Sequence, residues 1–228
     1  MKRLAEGLYQ LGGFPPDAIN IYVMGGVLID AGTRFARGRV LRRLKAAGVT
    51  PSAHALTHAH ADHQGASRAV CRALGLPFWC SEGDAEAAED PRVMLARMPR
   101  HPMNAVFAAN VAGPGCPVAR RLKEGDEVGG FTVLATPGHT AGHVSYWRES
   151  DRVLVIGDVV ANMNFLTGRP SLREPPWFFS ADPSRNRDSA RRLAALEPSL
   201  IAFGHGPPLR DPGEFARFAA TLGGARSE

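Results

Sequence analysis

Residues 56–65, LTHAHADHQG, set His58, His60, Asp62 and His63 within six positions of a chain that holds eight histidines in all. Imidazoles and carboxylates this close together form either a solvated polar turn or the ligands of a metal ion. His58 and His60 lie two apart, and at the end of a strand, where side chains alternate, such a pair points to one side. Asp62 and His63 follow after one small residue, where a turn into a helix aims them at a neighbouring point. Three further residues favour the metal. His139 follows a strand and a Pro-Gly turn in TPGHTAGH, Asp158 ends the apolar run VLVIGD, and His205 sits between glycines in LIAFGHG. Each is a lone ligand-type residue at the end of a predicted buried strand.

Those positions depend on the elements around them. Residues 19–32 predict two short strands folded at Gly25 and Gly26. Residues 38–49 predict a helix with Val40, Leu41, Leu44 and Ala47 on one face, and residues 63–75 a helix that ends at glycine. Residues 52–58 and 77–81 read as strands, with an acidic helix near 82–89. In the second half, strands are expected at 131–135, 143–147, 152–156 and 200–203, and helices at 183–196 and 212–222. Strands followed by helices in both halves imply two packed sheets with helices outside. With no repeat or low-complexity linker, residues 1–228 read as a single domain.

Composition narrows the function classes. Hydrophobic content of 44% with 21% charged residues is ordinary for a soluble globular protein. No apolar run is long enough to span a bilayer. The start, MKRLAEGLYQLGG, lacks the apolar core of a signal peptide, so a cytoplasmic location and no membrane partner are expected. Cys71, Cys80 and Cys116 form no C-x-x-C pair and read as reduced, small apolar residues. The net charge of +5 comes mostly from scattered arginines without interleaved aromatics. That pattern argues against a nucleic-acid partner and for a solvated surface with a mild preference for anionic ligands, and the partner expected is a small-molecule substrate.

The order HxHxDH, PGHTxGH, an apolar strand ending in GD, and then GHG resembles the metallo-β-lactamase superfamily of metallohydrolases over nearly the whole chain. The resemblance implies an α/β fold, a four-layer αβ/βα sandwich with metals at one edge of the packed sheets. It implies one ion held by His58, His60 and His139, a second held by Asp62, His63 and His205, and Asp158 bridging both. Nitrogen and oxygen donors without thiolate suit two divalent ions, zinc first, with iron or manganese also compatible. Two such ions about 3.5–4 Å apart share a water and lower its pKa toward about 7. The function implied is a dinuclear hydrolase in which a metal-bridging hydroxide attacks the carbonyl of an ester, thioester or lactone. Two divalent cations set against Asp62, Asp158 and hydroxide leave a net positive centre for the developing oxyanion. Asp62 is the expected catalytic residue, orienting the hydroxide and moving its proton. His143, at a recurrent family position, is expected to support the ligands by hydrogen bonding. His54 reads as a core or supporting histidine, His101 as loop surface, and Gly138, Gly157, Gly204 and Gly206 as turn residues.

The substrate has to be read from loops. Residues 162–179, NMNFLTGRPSLREPPWFF, offer Phe165, Trp177 and Phe178, and the Pro-rich stretch 93–107 adds three methionines. These apolar residues either cover core or wall a substrate pocket suited to an apolar acyl part. The chain lacks the GRxDF-like segment of hydroxyacylglutathione hydrolases and persulfide dioxygenases. It has Ala161 where the best-known acyl-homoserine lactonases carry tyrosine. It keeps the bridging aspartate that class B β-lactamases generally lack. Two alternatives stand beside the hydrolase: a mononuclear iron-dependent dioxygenase of the persulfide type, using His58, His139 and Asp158, and a phosphodiester hydrolase.

Overall fold

Successive residues of a strand face opposite sides of its sheet, and in this chain both sides of the central strands are apolar. The computed structural model describes residues 1–13 and 15–223. One sheet has seven strands in sequence order: β1 (Lys2–Ala5), β2 (Leu8–Gln10), β3 (Tyr22–Met24), β4 (Val27–Ile29), β5 (Ala53–Ala55), β6 (Phe78–Ser81) and β7 (Arg120–Leu122). It is antiparallel as far as β4 and parallel from β4 to β7. A second sheet contains β8 (Glu127–Val128), β9 (Phe131–Ala135), β10 (Val144–Arg148) and β11 (Val153–Gly157). A short ribbon of β12 (Ala161–Asn162) and β13 (Leu172–Arg173) follows, and β14 (Leu200–Phe203) completes the second sheet in parallel beside β11.

The alternation sorts side chains into layers. Tyr22, Met24, Val27 and Ile29 of the first sheet meet Val153, Val155, Leu200 and Ala202 of the second in one buried cluster. The residues between them turn outward. Val23 and Leu28 pack under α1 (Arg37–Ala46) and α3 (Ser67–Leu74). Leu154, Ile156, Ile201 and Phe203 pack under α7 (Pro183–Ala194) and α8 (Pro212–Thr221). A fourth cluster, around Leu56, Phe78 and Cys80, is covered by α4 (Ala85–Glu89), α5 (Pro91–Arg97) and α6 (Pro102–Val111), with Ala61 of α2 (Ala61–Gln64). The result is the expected helix–sheet–sheet–helix sandwich.

Local chemistry explains the hairpin and the departures from expectation. Gly25 and Gly26 have φ of +53° and +80°, positive at both central positions as a two-residue hairpin of this twist requires. A Cβ on Gly25 would lie 2.0 Å from the Gly129 carbonyl oxygen, so turns from the two sheets touch backbone to backbone. The helix expected over 63–75 is broken into α2 and α3, where the Ala66 amide donates to the Gly32 carbonyl at 3.2 Å instead of back along the helix, and Gly65 packs so tightly that a Cβ there would lie 2.5 Å from the Arg34 nitrogen. On α1, Val40 and Leu44 are buried, Leu41 is half-buried and Ala47 is exposed, so the apolar stripe is narrower than its sequence spacing implied. The stretch read as a Pro-rich loop is instead α5 and α6. Pro91 and Pro102 stand at the first helical turn, where a missing N–H costs nothing. Asp90 and His101 cap these helices, their side chains accepting the Arg92 and Met103 amides.

Phe215 is fully buried between α8 and the outer face of the second sheet. Phe215→Ala should cost about 3–5 kcal/mol of unfolding free energy in urea titrations and leave metal content per folded chain unchanged. A loss below about 1 kcal/mol would mean that α8 does not anchor this layer.

Candidate metal centre

Every residue of interest lies just beyond a strand. β5 leads through Leu56 and Thr57 to His58, β9 through Thr136, Pro137 and Gly138 to His139, β11 directly to Asp158, and β14 through Gly204 to His205. His60 caps α2 in an extended conformation, which places Asp62 and His63 in that helix's single turn. Two tyrosines fix the sheets to each other at this edge. Tyr22 Oη donates to the Phe203 carbonyl at 2.6 Å, and Tyr146 Oη donates to the Leu56 carbonyl at 2.5 Å. Each bond crosses between sheets and ends within two residues of a site histidine.

The structure brings the seven sequence-predicted ligand residues together in three overlapping groups. They are His58, His60 and His139; His58, His63 and Asp158; and Asp62, His63 and His205, each with donor atoms within 4.8 Å of one another. Asp158 Oδ2 sits among them, 3.0 Å from His205 Nε2, 3.4 Å from His63 Nε2, 3.6 Å from His139 Nε2 and 3.9 Å from His58 Nε2. Asp62 Oδ2 lies 3.3 Å from His205 Nε2 and 3.6 Å from His63 Nε2. His58 Nε2, His139 Nε2 and Asp158 Oδ1 are buried without a hydrogen-bond partner. Native interiors rarely leave such atoms unsatisfied unless an ion or water completes them, and these are donors that divalent cations take. The residues fit a metal.

Hydrogen bonds behind these residues fix which nitrogen faces inward. Asp30 Oδ1 accepts the Thr57 amide at 2.9 Å, and Oδ2 accepts Thr57 Oγ1 at 2.8 Å and His63 Nδ1 at 2.9 Å. Thr57 Oγ1, having given its proton to Asp30, accepts from His58 Nδ1 at 3.0 Å, so both imidazoles turn Nε2 to the centre. His205 Nδ1 donates to the Ala18 carbonyl, with the same effect. His143 joins none of the groups. Its Nε2 accepts the Asp158 amide at 3.0 Å and its Nδ1 donates to Thr136 Oγ1 at 2.8 Å, which leaves no free donor atom. His54 is buried core, bonded to the Leu28 carbonyl and Ser67 Oγ.

Sequence reasoning missed several of these supports. Asp84 accepts the Ala59 amide, Thr140 Oγ1 and the Gly142 amide at 2.9, 2.6 and 2.8 Å, tying the His58–His60 loop to the His139 loop. Asn20 donates to the Phe203 and Gly206 carbonyls at 2.9 and 2.7 Å and so holds the His205 turn. Asp30 carried a legible signal, since VLID ends an apolar strand as VLVIGD does. Its φ of +58° is a strained value for a non-glycine residue, of a kind that gathers at functional sites.

Electrostatics divide the histidines into two kinds. Burial holds His58, His60 and His139 below the usual imidazole range, so they are neutral. Burial also lowers His143, to about 3. Burial acts against the charged form of His63 and His205 too, yet Asp158 and Asp62 outweigh it. His63 rises well above its ordinary value and His205 to about 10. Asp62 falls to about 2 because His63 and His205 overcome the effect of burial, and Asp158 falls well below the carboxylate range. The centre demands positive charge.

This polar floor opens into a cavity of about 460 Å³ whose lining joins His60, Asp62, His139, Asp158 and His205 to Phe165, Phe178 and Phe179. Met103 and Phe107 of α6 complete the wall. Trp177, expected there, does not line the cavity. It lies in a single 3-10 turn, Trp177–Phe179, whose successive side chains diverge, and is 62% exposed. His101, expected at the loop surface, stacks on Phe178 at 4.5 Å and braces the wall.

The model of the metallo-beta-lactamase superfamily matches residues 14–205. The chain belongs to that superfamily. Among curated proteins it is 29% identical over 200 residues to the probable metallo-hydrolase YflN of Bacillus subtilis, covering 80% of this chain and 76% of that one. It is 29% identical over 182 residues to the hydroxyacylglutathione hydrolase of Bdellovibrio bacteriovorus, covering 78% of this chain and 56% of the other. Among solved structures it resembles TTHA1623, crystallised in a di-iron-bound form, with 31% identity and a TM-score of 0.70 over 92% of this chain and 96% of that one. Members of this superfamily bind divalent metal ions, and the three side-chain groups could hold such ions.

In the metal-free protein, protonated His63 and His205 offset the buried carboxylates. Groups whose folded pKa is raised contribute stability that is full below the unfolded histidine value of about 6.5. That stability is lost as pH rises through the folded value, about 10 for His205. Asp62, depressed to about 2, does not titrate in this window. The melting temperature of chelator-treated protein should therefore fall between pH 6.5 and pH 10, and added zinc should restore more at the alkaline end, where it displaces fewer protons. A flat metal-free profile would contradict the proton-compensated centre.

Proposed function

We propose that this protein is a dinuclear metal-dependent hydrolase of an ester, thioester or lactone with an apolar acyl part. In this reading His58, His60 and His139 would hold one ion and Asp62, His63 and His205 the other, with Asp158 shared by both sets. Two divalent cations bound there would supply a water acidified toward a pKa of about 7 and a positive field for the oxyanion. The donor set favours zinc and accommodates iron or manganese, and the di-iron form of TTHA1623 supports double occupancy of such a set.

The chain's own residues take the remaining parts. Asp62 stays ionised to about pH 2 and reaches the cavity, so it is placed to accept a hydrogen bond from the attacking water and orient it, passing the proton on to solvent rather than retaining it. His143 fixes Asp158 through its amide, and Asp30 fixes His58 and His63, so no side chain has to reorganise as charge develops. Phe165, Phe178 and Phe179 exclude water and hold the apolar part of the substrate. The observation that carries the reading is the continuity of ligand-type floor and aromatic wall in one cavity. The hydroxyacylglutathione hydrolases among the relatives act on a thioester, which supports carbonyl chemistry. The chain spans little more than half of their length, so glutathione itself is not carried over.

Metal-loaded protein should hydrolyse acyl esters, thioesters or lactones and leave phosphodiesters intact. Within the acyl series, each added methylene that fits should raise kcat/KM by up to about fourfold, equivalent to about 0.8 kcal/mol. Phe165→Ala and Phe178→Ala should flatten that dependence at unchanged metal content, whereas Trp177→Ala should keep the wild-type slope. Turnover of phosphodiesters with no carbonyl substrate accepted would overturn the reading. Equal flattening by Trp177→Ala would overturn the assigned wall.

A further inference from the structure

Helix α6, PMNAVFAANV, carries no charged residue, yet Pro102, Met103, Ala105, Val106 and Ala109 are exposed. Asn104, buried, and Asn110 are its two polar residues, and a helix so largely apolar is ordinarily buried in a core or a membrane. The exposed large hydrophobic residues of the described chain are concentrated about it. Apart from Met1 they are Phe35, Met103, Val106, Phe165, Leu166 and Trp177. Met103, Phe165 and Leu166 rim the cavity mouth, and Val106 stands one helical turn from Met103. Trp177 meets Phe178 of the wall edge-on, and Phe35 lies under the guanidinium of Arg34, whose amide bonds the end of α6 at Val111. Leu166 is 97% exposed, an arrangement that favours a covering partner.

The unpaired charges on these segments have one sign. From Pro91 to Ala112 there is no acidic residue, and between Ala161 and Ser180 the one acid, Glu174, is paired with Arg187. Arg100, Arg169 and Arg173 are exposed on these segments and Arg34 beside the end of α6, and none of the four forms an ion pair among the described residues. A second copy docking about a two-fold axis would set this arginine-rich rim against itself. A surface that is apolar inside and anionic outside complements both features. We propose that the rim formed by α6, Phe165, Leu166 and Trp177 docks on an anionic lipid surface. The apolar side chains enter the acyl layer, and Arg100, Arg169 and Arg173 meet the headgroups. The same contact brings the cavity mouth to the membrane. This departs from the expected absence of a membrane partner, because residues 93–107 read from sequence as loop and not as an exposed apolar helix.

Co-sedimentation with vesicles tests this without turnover, so its outcome is independent of the hydrolase reading. The folded, metal-loaded protein should sediment with phosphatidylglycerol vesicles and not with phosphatidylcholine vesicles. The pair Val106→Ser and Trp177→Ser, neither of which lines the cavity, should lose binding at low salt. The pair Arg100→Glu and Arg169→Glu should lower partitioning about tenfold or more. No sedimentation with either vesicle would overturn the proposal, as would anionic binding that both pairs leave intact. A concentration-dependent dimer in sedimentation equilibrium, dissociated by the serine pair, would instead make a second copy the occupant and overturn it too.

Discussion

A carboxylate that is 5% exposed, with one oxygen unpartnered and the other within 3.9 Å of four imidazoles, constrains everything around it. Asp158 cannot remain charged in a dry interior without cations close by. Without metal, protons on His63 and His205 serve; with metal, the ions do. The surrounding backbone is built to the same demand. A Cβ on Gly204 would lie 1.9 Å from Asp158 Oδ1, and one on Gly157 would lie 2.5 Å from His143 Nε2, so those positions need glycine for close approach. His143 uses both nitrogens to hold the Asp158 amide and Thr136, and is thereby withdrawn from the metal groups.

Stability and chemistry are supplied by different layers. Apolar side chains between and outside the sheets hold the sandwich, while the edge where strands end is held by polar bonds that cross it. Tyr22 and Tyr146 pin one sheet to the other beside His205 and His58. Asp84 joins two histidine loops, Asn20 joins the turn after β14 to the first sheet, and Asp30 joins Thr57, His58 and His63. The site residues on four separate segments therefore move as one body, which is what preorganised electrostatics require.

Much of this was legible before the fold was known. His58, His139, Asp158 and His205 each stand where a strand runs out, and His60, Asp62 and His63 follow His58 in the turn into the next helix, a pattern that residue type and apolar periodicity expose directly. The glycine hairpin and the two-sheet layering were legible for the same reason, since short apolar runs between turn signals leave few alternatives. What stayed hidden depends on contacts between distant segments. Asp84 lies in a plain acidic stretch, and nothing local marks the two loops that it joins. Proline spacing concealed α5 and α6, because a proline that opens a helix and one that punctuates a loop look alike in sequence. Trp177 and Phe179 could not be told apart as pocket residues, since that choice rests on the direction each side chain leaves a single 3-10 turn.

The most direct test of the centre is its metal capacity. Chelator-treated protein is saturated with zinc, freed of unbound ion and measured by elemental analysis, alongside Asp158→Asn. The expected plateau is close to two ions per chain in the wild type, with both sites weakened in the variant because a neutral amide cannot offset two cations. A wild-type plateau at one ion under saturating zinc, iron and manganese alike would contradict the paired centre.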